Sequence, residues 1–332
     1  MTTTQPRTAT TATVTRSRRT TVAATVERLI LPLVWIGMIV VFGILQPTTF
    51  LSWSNIGNVL GAQSVLFILA LAALLPVFVG DFDLSLGGIM GIAGAFVGVG
   101  NVLWGLPIWV AVALGLVFAV LGGALNAFLV VKLGTSPLIV TLGTGTLYTG
   151  VIYFLVNSTT IAGVSPALSQ ATFTTRIGGI SLAFFYAMIV MLILWYVTSW
   201  TPLGLRARFV GQSHAVARLS GVNVNRVRWA AFMSAALLAG VAGVLLVGLT
   251  GAFDPGASAS YLLPAYAAVF LGATSISPGR FNAIGTGIAV YFLATGVNGL
   301  QILGAQSYVQ QLFYGAALVV AVVLARWIRR RA

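Results

Sequence analysis

The sequence predicts an all-α, polytopic integral membrane protein with about ten transmembrane helices and both termini in the cytoplasm. Composition is the first reason. Of 332 residues, 59% are hydrophobic and 6% are charged, against roughly 25% charged in an ordinary soluble domain. Distribution is the second: mean hydropathy is +1.04, and apolar runs recur from Leu29 almost to Arg326, so the bilayer is the main solvent. The third is a one-sided placement of positive charge, which emerges once the helices are assigned.

Residues 1–28 are rich in Thr and Ala, carry Arg7, Arg16, Arg18 and Arg19, and have no apolar period. They read as a disordered, basic cytoplasmic tail. A signal peptide is the competing reading. However, the run Leu29 to Leu45 ends in Gln46-Pro47 without a small-residue cleavage site, and more spans follow, so it reads as a retained first helix.

Pro, Gly and polar clusters divide residues 29–326 into apolar runs near 29–45, 55–79, 85–103, 107–131, 135–156, 180–199, 229–250, 262–277, 282–301 and 305–325, each close to the roughly 20 residues a span needs. With the first tail inside, parity puts the connections near Asp81, Lys132, Arg206–Arg228 and Arg280, and the basic tail 327–332, in the cytoplasm. Only Arg176 of the 17 basic residues then falls outside, as the positive-inside rule requires. Small residues crowd the spans: Gly87, Gly91, Gly94 and Gly98, then Gly115, Gly122 and Gly123, then Gly240 and Gly243. Such stripes predict helices packed backbone to backbone.

Much chemistry is excluded at this stage. The chain has no cysteine and one histidine, His214, so disulfides, thiol chemistry and a cysteine- or histidine-built metal site are not expected. The only lysine, Lys132, lies between Val131 and Leu133, so there is no phosphate-binding loop of Walker type and any ATP use needs a separate subunit. His214 stands in a basic loop with no acid near it in sequence, which leaves no triad to read, and catalytic residues are expected to be absent. The net charge of +13 reports topology rather than a nucleic-acid partner.

Four acids remain: Glu27, Asp81, Asp83 and Asp254. Asp81 and Asp83 lie in GDFDLSLGG, Gly80 to Gly88, between two apolar runs. An ionised side chain at membrane depth costs about 3 kcal/mol or more, so it needs a partner or water. Two compatible readings follow: a helix break lining a solute path, or Asp83 or Ser85 capping the next helix. The longest basic connection, Thr201 to Arg228, carries five arginines. Within it Ser213 N-caps a short helix whose apolar side is Ala215, Val216, Ala217 and Leu219, and Gly221 ends it. That helix either rests on anionic headgroups or docks a cytoplasmic partner.

At these segments the sequence resembles the permease subunits of bacterial sugar-importing ABC transporters of the ribose, xylose and galactoside type, and is similar to autoinducer importers. The family reads like GGIDLSVGS where this chain has GDFDLSLGG, and like GNEAAARLSGINV where Gly211 to Val224 read GQSHAVARLSGVNV. NAFLVVKLGTSPLIVTLGT, Asn126 to Thr144, and AAVFLGATSISPGRFNAIGTGI, Ala267 to Ile288, fit as well. The resemblance runs from about Leu29 to Arg326.

It implies a permease domain over residues 29–326 in the bacterial inner membrane. Two permease chains, as a homodimer, would form the path, with ATPase subunits beneath and an extracytoplasmic solute-binding protein above. ATP and Mg would sit on the ATPase, with no cofactor or metal in this chain. The segment Gly211, Gln212, Ser213, His214, Ala215, Ala217, Arg218, Leu219, Ser220 and Gly221 resembles the coupling helix, inside a coupling loop spanning residues 201–228. Alternating access would then carry a sugar or polyol through the path.

The residues offered for that path are polar positions inside apolar spans, Gln63, Asn126, Thr141, Thr144, Asn298 and Gln301, with Asp83 carried over as the motif acid. Each polar residue is equally readable as a bond from helix to helix. Two departures bear on substrate: Leu262 and Pro264 stand where many relatives have an acidic pair, and Asp81 replaces a common Gly. A secondary carrier coupled to ions through Asp81 or Asp83 is the alternative.

Overall fold

The computed structural model describes the backbone of residues 19–331 and the side chains of residues 28–323. The disordered tail expected before residue 19 lies outside these described residues. In chain order the helices are α1 (Arg19–Leu45), α2 (Pro47–Phe50), α3 (Trp53–Ala62), α4 (Ser64–Phe78), α5 (Leu86–Gly98), α6 (Ile108–Ala127), α7 (Pro137–Leu155) and α8 (Pro166–Ser169). There follow α9 (Leu182–Trp200), α10 (Pro202–Gln212), α11 (His214–Leu219), α12 (Val224–Thr250), α13 (Leu262–Gly272), α14 (Ala283–Ile302) and α15 (Ser307–Arg331). Two strand pairs close the loops at the end opposite α10 and α11. They are β1 (Ile161–Ala162) with β4 (Ala252–Phe253) and β2 (Arg176–Ile177) with β3 (Ile180–Ser181), both antiparallel.

Among the described residues eight helices are long and apolar enough to cross a membrane, and two shorter apolar ones are Ser258–Gly272 and Ser307–Val323. The differences from expectation have local causes. The first helix begins at Arg19, ten positions before Leu29, and α15 runs through the expected tail to Arg331. The run 55–79 divides at Gln63, which joins α3 to α4. The run 262–277 stops at Gly272, because Thr274, Ser275 and Pro278-Gly279 disfavour helix and Ile276 takes a left-handed conformation, φ 63°. Asn282 Nδ2 then donates to the carbonyls of Gly272 and Ser275, tying the broken turn to the start of α14.

Burial follows hydrophobicity around each helix. Every residue from Ser64 to Leu74 is buried, as expected of a helix apolar on all sides. Helix α4 sits among α9, α12, α13 and α14. By contrast α7 and α9 leave large apolar side chains outside, among them Ile139, Phe154 and Ile193, the surface a helix presents to lipid.

The glycine stripes lie where helices touch. A side chain at Gly243 of α12 would strike the Met90 carbonyl of α5, and one at Gly115 of α6 would meet the Ala93 carbonyl. Gly243→Val is therefore expected to cost about 1–3 kcal/mol by overpacking, seen as a lower melting temperature in detergent. Gly150→Ala, inside α7 where an added Cβ meets nothing within 4 Å, should not lower it, since Ala favours helix over Gly.

Candidate functional site

Two sites emerge in the bundle, and α4 and α13 touch both. The first is a cavity of about 600 Å³ between α4, α13, the start of α15 and the far end of α12, within the range of small-molecule sites. Gln63 at the α3–α4 junction reaches into it, beside Leu66. Tyr261, Leu263 and Pro264 line it from the start of α13, with Ser260 just before them. Ser307, Gln310, Gln311 and Tyr314 line it from α15. The spacing of those four puts them on one helical face. Amides and hydroxyls supply the polarity, and among the described residues no carboxylate, amine, guanidinium or imidazole stands on the wall.

The second site is the break between α4 and α5, Val79 to Ser85. Its backbone leaves helical geometry inside the packed protein, where an unpaired polar group is costly, and side chains from three other helices complete it. Tyr266 Oη of α13 donates to the Asp83 carbonyl at 2.9 Å and accepts the Asp83 N–H at 3.1 Å. Thr141 Oγ1 of α7 accepts the Leu84 N–H at 3.0 Å. Both Ser85 N–H and Ser85 Oγ donate to Asp83 Oδ1, at 3.0 and 2.5 Å, and Asn126 Nδ2 of α6 donates to Ser85 Oγ at 2.6 Å. Asp83 thus turns the chain through Ser85, and the Ser85 side chain makes no cap bond to α5.

The first half of the break is held by α10, α11 and the start of α12. Arg228, in the second turn of α12, grips Asp81 with both arms: Nε to Oδ2 at 2.6 Å and Nη2 to Oδ1 at 2.9 Å. Asp81 is 2% exposed and Arg228 13%. A bidentate pair of this kind is strong because its geometry is fixed, and removing either partner leaves a charge out of water. His214 Nε2 lies 2.9 Å from the Val79 carbonyl, and a side chain at Gly211 would strike the Phe78 carbonyl.

Helix α11 carries that histidine. Ser213 Oγ accepts the Val216 N–H at its start, and Gly221 turns the chain at φ 79° beyond its end. Its apolar side chains do not share one face. Ala217 is buried against Val79, Val210 and Val224, whereas Val216 is 56% and Leu219 89% exposed. Gly211, Gln212, Ala215, Arg218 and Ser220 are exposed as well.

The residues offered for the path separate. Gln63 lines the cavity. Gln301 is exposed and donates through Nε2 to Oε1 of Gln310, which does line it, at 3.4 Å. Asp83, Asn126, Thr141 and Thr144 are buried around the break, away from the cavity wall. Asn298 exchanges amide hydrogen bonds with Asn55, at 3.0 and 3.2 Å, beside a mostly apolar hollow of about 180 Å³. Ser260, Tyr261, Gln310, Gln311 and Tyr314 escaped the sequence reading because they fall at span ends, where polarity is ordinary. Their spacing along α15 was the available signal. In the sequence Arg228 is only the last residue of the basic 201–228 connection, since nothing in the linear chain brings it to Asp81.

Tyr266→Phe removes one group that serves both the N–H and the carbonyl of Asp83, and is expected to cost about 1–3 kcal/mol of stability. Thermal unfolding in detergent measures it, against Tyr196→Phe, whose ring is 59% exposed, as the neutral control.

A family described as "branched-chain amino acid transport system / permease component" matches residues 55–322. The ribose import permease protein of Bacillus subtilis (strain 168) is 32% identical over 290 residues, covering 87% of this chain and 89% of its own. The D-allose transport system permease protein of Escherichia coli (strain K12) is 30% identical, over 88% of this chain and 90% of its own. An autoinducer 2 import system permease protein of Photorhabdus laumondii is 31% identical, over 77% and 78%. No solved structure matches. The chain therefore belongs to the family of ABC importer permeases that contains the ribose, D-allose and autoinducer 2 import proteins, and is a multi-pass protein of the bacterial inner membrane.

Proposed function

We propose that the chain forms the translocation path of an ABC importer for a neutral sugar or polyol, by alternating access driven from a separate ATPase subunit. The cavity carries the reading. Amides and hydroxyls from Gln63, Ser260, Gln310 and Gln311 match the donors and acceptors of a polyhydroxylated solute, and none of the described wall residues is charged, so nothing there demands a charged one. The sugars named for the ribose and D-allose relatives agree with it. The path is completed by a second copy of this chain, and a solute-binding protein delivers at the end bearing the strand pairs. Both chain termini are cytoplasmic, on the side of α10 and α11.

The ATPase seats on α11. Leu219 and Val216 hold apolar surface outward on a short helix that also carries Arg218, an exposed patch of the kind that marks a protein contact. ATP and Mg belong to that partner, whose hydrolysis supplies the driving free energy. The ion-coupled alternative needs free acids on the path, whereas Asp81 is bound to Arg228 and neither Asp81 nor Asp83 lines the cavity.

The test is uptake of a labelled aldose or polyol by proteoliposomes holding the permease with its ATPase and binding protein. Uptake should require ATP, and Gln310→Ala should lower its efficiency about five-fold by removing a solute hydrogen bond. Uptake driven by an ion gradient without the ATPase would sink the reading. Leu219→Asp, on a side chain 89% exposed, should abolish copurification of the ATPase while leaving the permease folded.

A further inference from the structure

The break between α4 and α5 is where the cytoplasmic segment and the cavity meet mechanically. On the cytoplasmic side three contacts converge on Phe78 to Asp81. Gly211 packs on the Phe78 carbonyl, His214 bonds the Val79 carbonyl, and Arg228 holds the Asp81 carboxylate through two hydrogen bonds. Ala217 of α11 packs against Val79 in the same small cluster, with Val224 at the start of α12. The end of α4 therefore has no freedom to move apart from α10, α11 and the first turns of α12.

From that anchored end two rigid elements lead to the cavity. Helix α4 is one; its fifteen residues, Ser64–Phe78, span about 22 Å and reach the wall at Leu66 and the adjoining Gln63. Helix α13 is the other. Tyr266 clasps the Asp83 backbone from both its N–H and its carbonyl, and Leu263 and Pro264, within a turn of it, line the wall. A displacement of the cytoplasmic segment thus reaches two sides of the cavity at once through packed helices and fixed hydrogen bonds.

We propose that the Asp81–Arg228 ion pair and the His214–Val79 hydrogen bond form the joint through which movement of the cytoplasmic segment reaches the cavity, by way of α4 and, through Tyr266, α13. Asp81 and Arg228 are positioning residues: neither lines the cavity, and neither faces outward on α11. The joint rests on the functional reading above, since it needs a partner that moves α11. It adds which bonds carry the motion, and they are bonds that hydrophobic packing alone does not supply. Direction and rigidity come from the bidentate geometry, which a single hydrogen bond or an apolar contact lacks.

The test uses the complete importer in proteoliposomes and reads solute taken up per ATP hydrolysed, together with copurification of the ATPase. The variants are Arg228→Ala, the double variant D81A/R228A, which leaves no unpaired charge, and the exchanged pair D81R/R228D. Arg228→Ala and D81A/R228A are expected to keep the ATPase bound but to lose about five-fold or more in solute per ATP, the scale of a typical coupling between sites. The exchanged pair should recover most of that loss. Because the chain has no cysteine, Gly315→Cys, at a wall position where an added Cβ meets nothing within 4 Å, gives a single thiol reporter on the cavity wall. Its labelling by a thiol reagent should change on ATP addition in the otherwise native chain and stop changing in D81A/R228A.

Native solute-to-ATP ratios in D81A/R228A would overturn the joint while leaving the functional reading standing. Loss of ATPase copurification in both neutralised variants would assign the pair to assembly and overturn the joint equally. An importer with Asp81 and Arg228 intact that shows neither ATP-dependent uptake nor an ATP-dependent change at the thiol reporter contradicts the functional reading, and the joint with it.

Discussion

In a bilayer no water reaches the backbone, so each peptide group that leaves a helix must find its partner within the protein. The segment from Val79 to Ser85 departs from helix between two spans, and the arrangement around it answers that need. Tyr266, Thr141 and Asn126 are polar residues inside apolar helices, and each ends at this segment. His214 and Arg228 approach from α11 and the start of α12. Five elements far apart in sequence therefore converge on seven residues. The relative placement of α4, α5, α6, α7, α12 and α13 follows from those bonds as much as from the packing of apolar surface.

Packing supplies the rest. Without a hydrophobic driving force between helices in lipid, close approach is what holds them together, and glycines at the crossings of α5 with α6 and α12 allow it. The same economy shapes the cavity. It opens where α13 is short and where α3 gives way to α4 at Gln63, so the cavity coincides with irregular points of the bundle. The amides and hydroxyls on its otherwise apolar wall follow from the helix ends gathered there.

Much of this was legible in the chain. Apolar runs marked the spans, glycine spacing marked the contact faces, and Ser213 and Gly221 bounded α11 as their capping chemistry requires. The polar residues within spans were also identified, yet their roles divided in a way that spacing does not encode. Gln63 turned to the cavity, Asn126 and Thr141 turned to the break, and Thr144 bonds the Thr141 carbonyl of its own helix, because the direction of a polar side chain depends on which neighbour lies beside its helix. Ala217 and Leu219 are two residues apart on one short helix. One is buried and the other almost fully exposed, since only a body packed on one side distinguishes them.

The sequence by itself determined that the protein lives in a membrane and the approximate position of its spans, because these depend on transfer of each segment from water to lipid. It also carried the family resemblance, which the matched permeases bear out. Only the tertiary structure decided which polar groups meet: Asp81 with Arg228 across 147 positions, Asp83 with Tyr266 across 183, and Gln63 with the face of α15. Such pairings are long-range, set by how helices are arranged rather than by any local preference, and so they do not appear in the order of the residues.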